Sequence, residues 1–195
     1  MDKSILDKSI AILNTRKDEW ARLPIAERIP LFQGATKKTA EVADNWVAAA
    51  VKAKSIPDNS PLVGEEWTSG PWALIYGIES MIGTLQSLEK GKNPPIGKVR
   101  TRPGGQLIAY IFPYNIYHRL LLSGIRAEVW MQDYVTEDNF AENIAKIYKS
   151  DDKSGHVSLV LGAGNVASIP PLDVLDRLFA HKSVCILKVH PVNDY

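Results

Sequence analysis

The segment from Val157 to Val189 constrains the fold of this chain more than any other. It contains a short apolar run, the turn Gly162-Ala163-Gly164-Asn165-Val166-Ala167, an amphipathic stretch and a second apolar run. This order predicts strand, turn, helix and strand, which is typical of a parallel β-α-β unit. In nucleotide-binding folds, glycines at such a turn let the main chain approach a ligand and adopt φ angles that other residues avoid. Because Tyr195 follows shortly, we expect a nucleotide fold that is started but incomplete in this chain.

The residues before this segment predict helices first and short strands later. Apolar residues at steps of three or four predict helices over 3–15, 25–54 and 71–90, with a turn-rich connector over 60–70. Strands are predicted at 98–101, 106–112 and 127–132, residues 117–122 fit strand or helix, and Thr136 is a candidate N-cap for a helix to 148. We expect an α/β fold: a helical N-terminal layer plus an incomplete Rossmann-like β-α-β unit. The expected regions are 1–95 (helical), 96–156 (mixed strand and helix) and 157–195 (start of the nucleotide-binding domain).

The composition excludes several classes of protein. The 195 residues carry a formal net charge of +1 without a dense basic cluster, so nothing favours a nucleic-acid or anionic-membrane partner. Apolar runs are too short for a transmembrane helix, and charges interrupt the N-terminus where a signal peptide would need an apolar core. One cysteine permits no internal disulfide. We therefore expect a cytoplasmic protein.

The glycine turn matches the loose dinucleotide fingerprint Gly162-x-Gly164-x-x-Ala167, with Ser168 as a candidate helix cap. That fingerprint normally places an acidic residue about 20 positions later, at the end of the second strand, to bind a ribose. Here the place is occupied by Lys188, Val189 and His190. A basic residue there suits a 2′-phosphate, but a tight strand-to-helix turn without a ligand explains the glycines almost equally well.

Asn165 and Lys188 give the segment a more specific resemblance. Asn165 follows the first strand, the helix from Ile169 to His181 comes next, and Ile186-Leu187-Lys188 ends the second strand, so that 23 positions separate the two residues. This arrangement resembles the aldehyde dehydrogenase superfamily, in which a Pro-Trp-Asn type turn precedes a strand ending in Val-Leu-Lys-Pro. Two departures from the family pattern resemble a divergent, acyl-CoA-reductase-like branch. Ala163-Gly164 replaces Pro-Trp, and Pro191 stands where the family often has a ribose-binding glutamate.

The resemblance implies a function and roles for site residues. The Asn165 amide would help to form an oxyanion hole, and the Lys188 ammonium would bind the adenosine ribose of NAD or NADP. Gly162 and Gly164 would let the backbone approach the cofactor. The chain would be the N-terminal fragment of a homo-oligomeric oxidoreductase acting on an aldehyde or acyl thioester.

The family nucleophile is a cysteine in a later domain. Cys185, the one cysteine here, lies among apolar residues of the second predicted strand, and we expect it to be structural. The fragment alone is therefore expected to be inactive. Two alternatives stay open: a conventional Rossmann-type NADP-binding module that places phosphate on Gly162, Gly164 and Ala167, and a non-catalytic assembly domain.

Other motifs give weaker evidence for a functional site. Phe112-Pro113-Tyr114-Asn115 resembles the Pro-Trp-Asn turn by letter, but the residue 23 positions later, Asp138, does not end an apolar strand. The histidines lack the spacing of metal ligands, so no metal site is predicted. Tryptophans are expected to be core anchors: Trp46, Trp67, Trp72 and Trp130.

Overall fold

The computed structural model describes residues 3–57, 59–113 and 115–194. The helices are α1 (Lys3–Arg22), α2 (Ile25–Ala53), α3 (Leu62–Trp67), α4 (Ala73–Glu89), α5 (Ile116–Leu121), α6 (Phe140–Asn143), α7 (Lys146–Lys149) and α8 (Ile169–Ala180). The strands are β1 (Val99–Thr101), β2 (Leu107–Phe112), β3 (Ala127–Trp130), β4 (His156–Leu161) and β5 (Ser183–Lys188). The chain thus mixes helices with small sheets, as the sequence predicted at the level of α/β. In the part of the chain described, no helix combines the length and apolar character needed to cross a membrane.

The chain forms two compact units, which are described separately. The first contains the residues up to 86 together with those from 150 onward, and the second contains residues 87–149. The helical N-terminal region and the β-α-β segment, which the sequence placed in separate regions, thus belong to one unit.

The β-α-β segment of the first unit has the predicted order of elements. β4 and β5 pair in parallel, from His156 opposite Ser183 to Leu161 opposite Lys188, and α8 connects them. Parallel neighbours require such a crossover because the chain must return to the starting end of the sheet, whereas a short hairpin produces antiparallel strands. Many α/β folds share this element. The β-α-β element by itself therefore does not distinguish a Rossmann-like domain from other α/β folds.

The N-terminal helices of the first unit lie against this segment. The Trp20 indole N–H of α1 donates to the Leu178 carbonyl of α8 at 3.1 Å. The Phe32 ring of α2 meets the Phe179 ring edge to face, with 6.2 Å between centroids. α2 follows its predicted bounds closely, and it runs through Pro30.

Arg28 of α2 explains why α1 extends past its predicted end at residue 15. Its side chain is 1% exposed, and its guanidinium donates to the carbonyls of Trp20, Ala21 and Leu23 at 2.7–3.2 Å. These carbonyls lie in the last turn of α1 and directly after it, where a cation is favourable. This contact could not be predicted from the sequence, because residues 16–19 carry no apolar periodicity.

The second unit contains an antiparallel sheet in the order β1-β2-β3. The β1–β2 hairpin confirms the predicted strands and their loop, in which Gly104 and Gly105 have φ values of 112° and 91°. Leu107, Ile108 and Ala109 of β2 are buried and form the centre of this sheet.

Two helical predictions differ from the structure. The helix predicted from Thr136 to 148 is wrong: α6 and α7 are separate single turns, and Ala145 between them has a φ of 52°. Thr136 and Asn139 instead exchange side-chain-to-backbone hydrogen bonds in a turn. The connector at 60–70 contains α3, and Gly70 has non-helical dihedral angles (φ −106°, ψ −111°) within the helical turn Thr68–Trp72 that follows.

Candidate functional site

The glycine turn and the residues that follow β5 meet at one edge of the parallel pair. The Gly162 N–H, just after β4, donates to the carbonyl of Lys188, the last residue of β5, at 2.9 Å. Open α/β sheets bind ligands outside the carboxyl ends of their strands. The structure therefore brings the predicted site residues Gly162, Gly164, Asn165 and Lys188 to the edge where ligand binding is expected.

The two glycines are required for space. The prediction of unusual φ angles was wrong, because neither Gly162 nor Gly164 has a positive φ. A Cβ at Gly164 would lie 2.7 Å from Cε1 and 2.9 Å from Cγ of His190, and one at Gly162 would lie 3.2 Å from the Lys188 oxygen. A side chain at 164 would therefore push His190 away from the turn.

The segment His190–Asn193 holds the turn in place, a role that the sequence did not reveal. The Asn193 side-chain amide donates to the Ala163 carbonyl at 2.8 Å. The His190 ring nitrogen Nδ1 accepts from the Val192 N–H at 3.2 Å and so fixes the ring that lies against Gly164. The sequence offered one signal for this role, namely polar residues that directly follow the second predicted strand. Their partners could not be predicted, because these contacts form only when β4 pairs with β5.

Asn165 and Lys188 present their side chains to solvent at this edge. Both residues are exposed. Within residues 3–57, 59–113 and 115–194, neither side chain makes a hydrogen bond or ion pair. Both polar groups are therefore accessible to a ligand, as the roles assigned to them require.

A cavity of about 460 Å³ adjoins the edge, within the roughly 300–1,000 Å³ range of small-molecule sites. Its wall is mainly apolar and includes Trp46 of α2, Pro170 of α8, and Leu187 and Val189 at the end of β5. Asn193 lines it too, and its Oδ1 atom is buried without a hydrogen-bond partner in the described chain. An unpaired buried acceptor costs about 1–3 kcal/mol. A ligand with a flat apolar body and an N–H or O–H donor fits this cavity.

The start of α8 is poor in free N–H donors. Pro170 and Pro171 have none, and the Ile169 N–H donates to Val166 at 3.3 Å. The predicted Ser168 cap is wrong, because this buried side chain makes no capping hydrogen bond. The helix therefore offers little for phosphate binding at its first turn.

Cys185 is half-buried in β5, and its sulfur lies 4.0 Å from the carbonyl oxygens of Val174 and Ser183. Burial raises the pKa of its thiol, an effect that the charge of Arg177 only partly opposes. A nucleophilic cysteine needs a stabilised thiolate, so this environment is that of a structural cysteine.

The structure also places the other residues that the sequence analysis named. In the second unit, Asn115 caps α5: its Oδ1 accepts the His118 N–H at 2.8 Å. Three of the four tryptophans expected in the core are exposed, namely Trp67, Trp72 and Trp130. Across the described residues, no three His, Cys, Asp or Glu side chains come together as a metal site would require.

Comparisons with models of protein families, with curated proteins and with solved structures found no match to this chain.

Proposed function

We propose that this chain is the N-terminal part of a cytoplasmic, aldehyde-dehydrogenase-like oxidoreductase that uses NAD or NADP. The full enzyme, a homo-oligomer, acts on an aldehyde or an acyl thioester. The observation that carries the proposal is the edge formed by the glycine turn and the end of β5, with accessible Asn165 and Lys188 side chains. The apolar cavity adjoins the same edge through Leu187, Val189 and Asn193, although Asn165 and Lys188 do not line it. On this proposal, the β-α-β segment is the first part of a Rossmann-like domain.

The residues at the edge have separable roles. Lys188 binds a ribose hydroxyl or a 2′-phosphate, because its ammonium is exposed at the strand end. The Asn165 amide donates a hydrogen bond to the oxygen of the reacting carbonyl as negative charge develops there. Asn193 and His190 keep the turn in position. The bound nicotinamide supplies the hydride chemistry.

The nucleophilic thiol comes from outside this chain. Cys185 is half-buried, and the raised pKa of its thiol disfavours the thiolate that attacks a carbonyl. This chain alone therefore binds cofactor and does not turn over substrate.

The first turn of α8 argues against the conventional Rossmann alternative. That reading places the pyrophosphate on free N–H groups at the helix start, next to the second glycine. Here two prolines remove donors and the His190 ring lies against Gly164. The exposed apolar residues Leu159 and Leu161 of β4 favour the assembly-domain alternative, which predicts no nucleotide binding.

Calorimetric titration of this chain with NAD and NADP tests the proposal. Gly164→Val is expected to weaken binding at least about tenfold, because the new side chain displaces His190. Asn165→Ala is expected to leave affinity within about twofold, since its amide acts on the reacting oxygen. Gly34→Val in α2 is the matched control, because a side chain there meets open space.

Absence of binding by the unsubstituted chain favours the assembly-domain alternative. A large loss of affinity with Asn165→Ala contradicts the role given to that amide. Equal losses with Gly164→Val and Gly34→Val contradict the location of the site.

A further inference from the structure

A second cavity, of about 470 Å³, lies wholly within the second unit and has a strongly basic wall. The cationic side chains that line it are Lys98, Arg100, Arg119 and Arg126, and the lining includes no acidic residue. We call this cavity the basic groove. The chain as a whole is almost neutral, at +1, so four cations around one cavity are a local concentration of charge.

Separate elements bring the four cations together. Residues 97 and 98 extend the β1–β2 ladder, because the Gly97 N–H donates to the Tyr110 carbonyl at 2.9 Å and the Tyr110 N–H to Lys98 at 3.1 Å. Lys98 and Arg100 are two residues apart on this extended segment and therefore share one face. Arg119 comes from α5, and Arg126 directly precedes β3.

Gly97 makes this wall possible. A Cβ at residue 97 would lie 2.7 Å from the Tyr110 oxygen and 3.2 Å from the Tyr110 Cβ. Only a residue without a side chain lets the segment lie this close to β2. The position of Lys98 in the basic groove thus depends on a backbone contact.

Most of this positive charge is not neutralised. Arg100 lies 3.4 Å from Glu128 and also stacks over the Tyr110 ring at 5.2 Å. For Lys98, Arg119 and Arg126, no carboxylate of the described residues lies within ion-pair distance. Like charges grouped around one concavity repel one another and create a local positive potential that attracts anions.

We propose that the basic groove binds a small molecule that carries a diphosphate group. Arginine side chains bind phosphate oxygens in pairs of parallel hydrogen bonds, and four cations match two phosphate groups better than one. The basic groove is a single concavity of about 470 Å³ and not a long basic stripe, which favours a small polyanion over a nucleic-acid strand. This site is separate from the edge in the first unit, and the inference does not depend on the proposed oxidoreductase activity.

The experiment is a calorimetric titration of the chain with inorganic pyrophosphate at low ionic strength, with orthophosphate as the comparison ligand. We expect saturable binding of pyrophosphate, tighter than that of orthophosphate. Arg119→Gln/Arg126→Gln should weaken it at least about tenfold, because two charge-assisted contacts are lost. Lys90→Gln/Lys92→Gln removes the same charge from the same unit away from the groove, and it should change affinity by less than about threefold.

Thermal unfolding without ligand checks that the variants fold. Removing two uncompensated cations should leave Tm unchanged or raise it slightly, since like-charge repulsion falls. If the double variant does not fold, Lys98→Gln replaces it, because Lys98 is exposed and outside the regular strands. This variant should weaken binding about fivefold, since one cation is removed and not two.

Three results would overturn the inference. One is no saturable binding of pyrophosphate by the unsubstituted chain. Another is an equal loss of binding in the Lys90/Lys92 control. The third is tighter binding of a short single-stranded oligonucleotide than of pyrophosphate, with the same dependence on Arg119 and Arg126.

Discussion

Cys185 shows how the surroundings of one residue decide its chemistry. Its sulfur faces the carbonyls of Val174 and Ser183, and burial raises the pKa of its thiol. Because the raised value belongs to the folded state, the unfolded chain loses the thiol proton first as pH rises. The contribution of this group to stability is therefore full below the unfolded pKa and is lost as pH rises through the folded value.

We expect Cys185 to react slowly with iodoacetamide in the native chain at pH 7.5, which is slightly below the roughly 8.5 pKa of a free thiol. Reaction in the native chain should accelerate at higher pH than for the same thiol in denaturant, where labelling should be fast. Mass spectrometry of the alkylated fraction over time measures this. Rapid native labelling near neutral pH would contradict a structural role and reopen Cys185 as a nucleophile.

The positions of the candidate site residues follow from local patterns. The glycine turn, Asn165 and Lys188 lie at one edge because strand, turn, helix and strand follow one another along the sequence. The roles of His190 and Asn193 were missed because their contacts to Gly164 and Ala163 exist only after β4 and β5 pair.

The contact between α1 and the start of β4 depends on Gly155. Gly155, just before β4, donates its N–H to the Asp18 carboxylate of α1 at 2.8 Å. This bond is the largest cause that lowers the pKa of Asp18. A Cβ at Gly155 would overlap the Lys17 carbonyl and lie 2.9 Å from the Asp18 N–H nitrogen, so α1 and the start of β4 meet backbone to backbone.

Gly155→Ala is expected to destabilise the chain by about 2–4 kcal/mol, because two backbone segments must separate. The control is Gly34→Ala in α2, where a Cβ meets open space and the higher helix propensity of alanine stabilises by up to about 1 kcal/mol. Urea denaturation followed by circular dichroism gives both free energies of unfolding. Similar values for the two variants would contradict the close contact between α1 and residue 155.

Among the helices, the long periodic α2 was predictable and the single turns α6 and α7 were not. α2 has 29 residues with repeated apolar spacing, and its bounds were predicted within one residue. The helix predicted over 136–148 failed because Ala145 takes a positive φ and Thr136 forms a local turn with Asn139. The apolar residues of α2 are not all buried: Val42 is exposed, whereas Ala43 and Val47 are buried.

At the scale of the whole molecule, one face of the parallel β4–β5 pair is partly uncovered. Side chains alternate along a strand, so Leu159 and Leu161 share the face opposite the one that carries Cys185 and meets α8. They are 65% and 67% exposed. In the described chain, β4 pairs with β5 alone, which leaves its other backbone edge open. Open edges and apolar faces promote association.

We therefore expect this chain to self-associate at micromolar concentration and to unfold over a broad transition. Leu159→Thr/Leu161→Thr should shift sedimentation-velocity profiles toward monomer. Ile5→Thr/Ile12→Thr is the matched control, because these residues are 61% and 63% exposed but belong to α1 and not to the sheet. A monomeric parent chain with a sharp unfolding transition would contradict the uncovered-sheet account.

The most direct test of the central claim is a heteronuclear NMR titration of this chain with NADP and NAD. The account predicts saturable shifts of the amides of Gly162, Gly164, Asn165 and Lys188, at the edge formed by β4 and β5. Shifts confined to the basic groove around Arg119 and Arg126 would show a dinucleotide bound through its diphosphate at the other site. That result, or no saturable shift near residues 162–165 and 188, would contradict cofactor binding at the glycine turn.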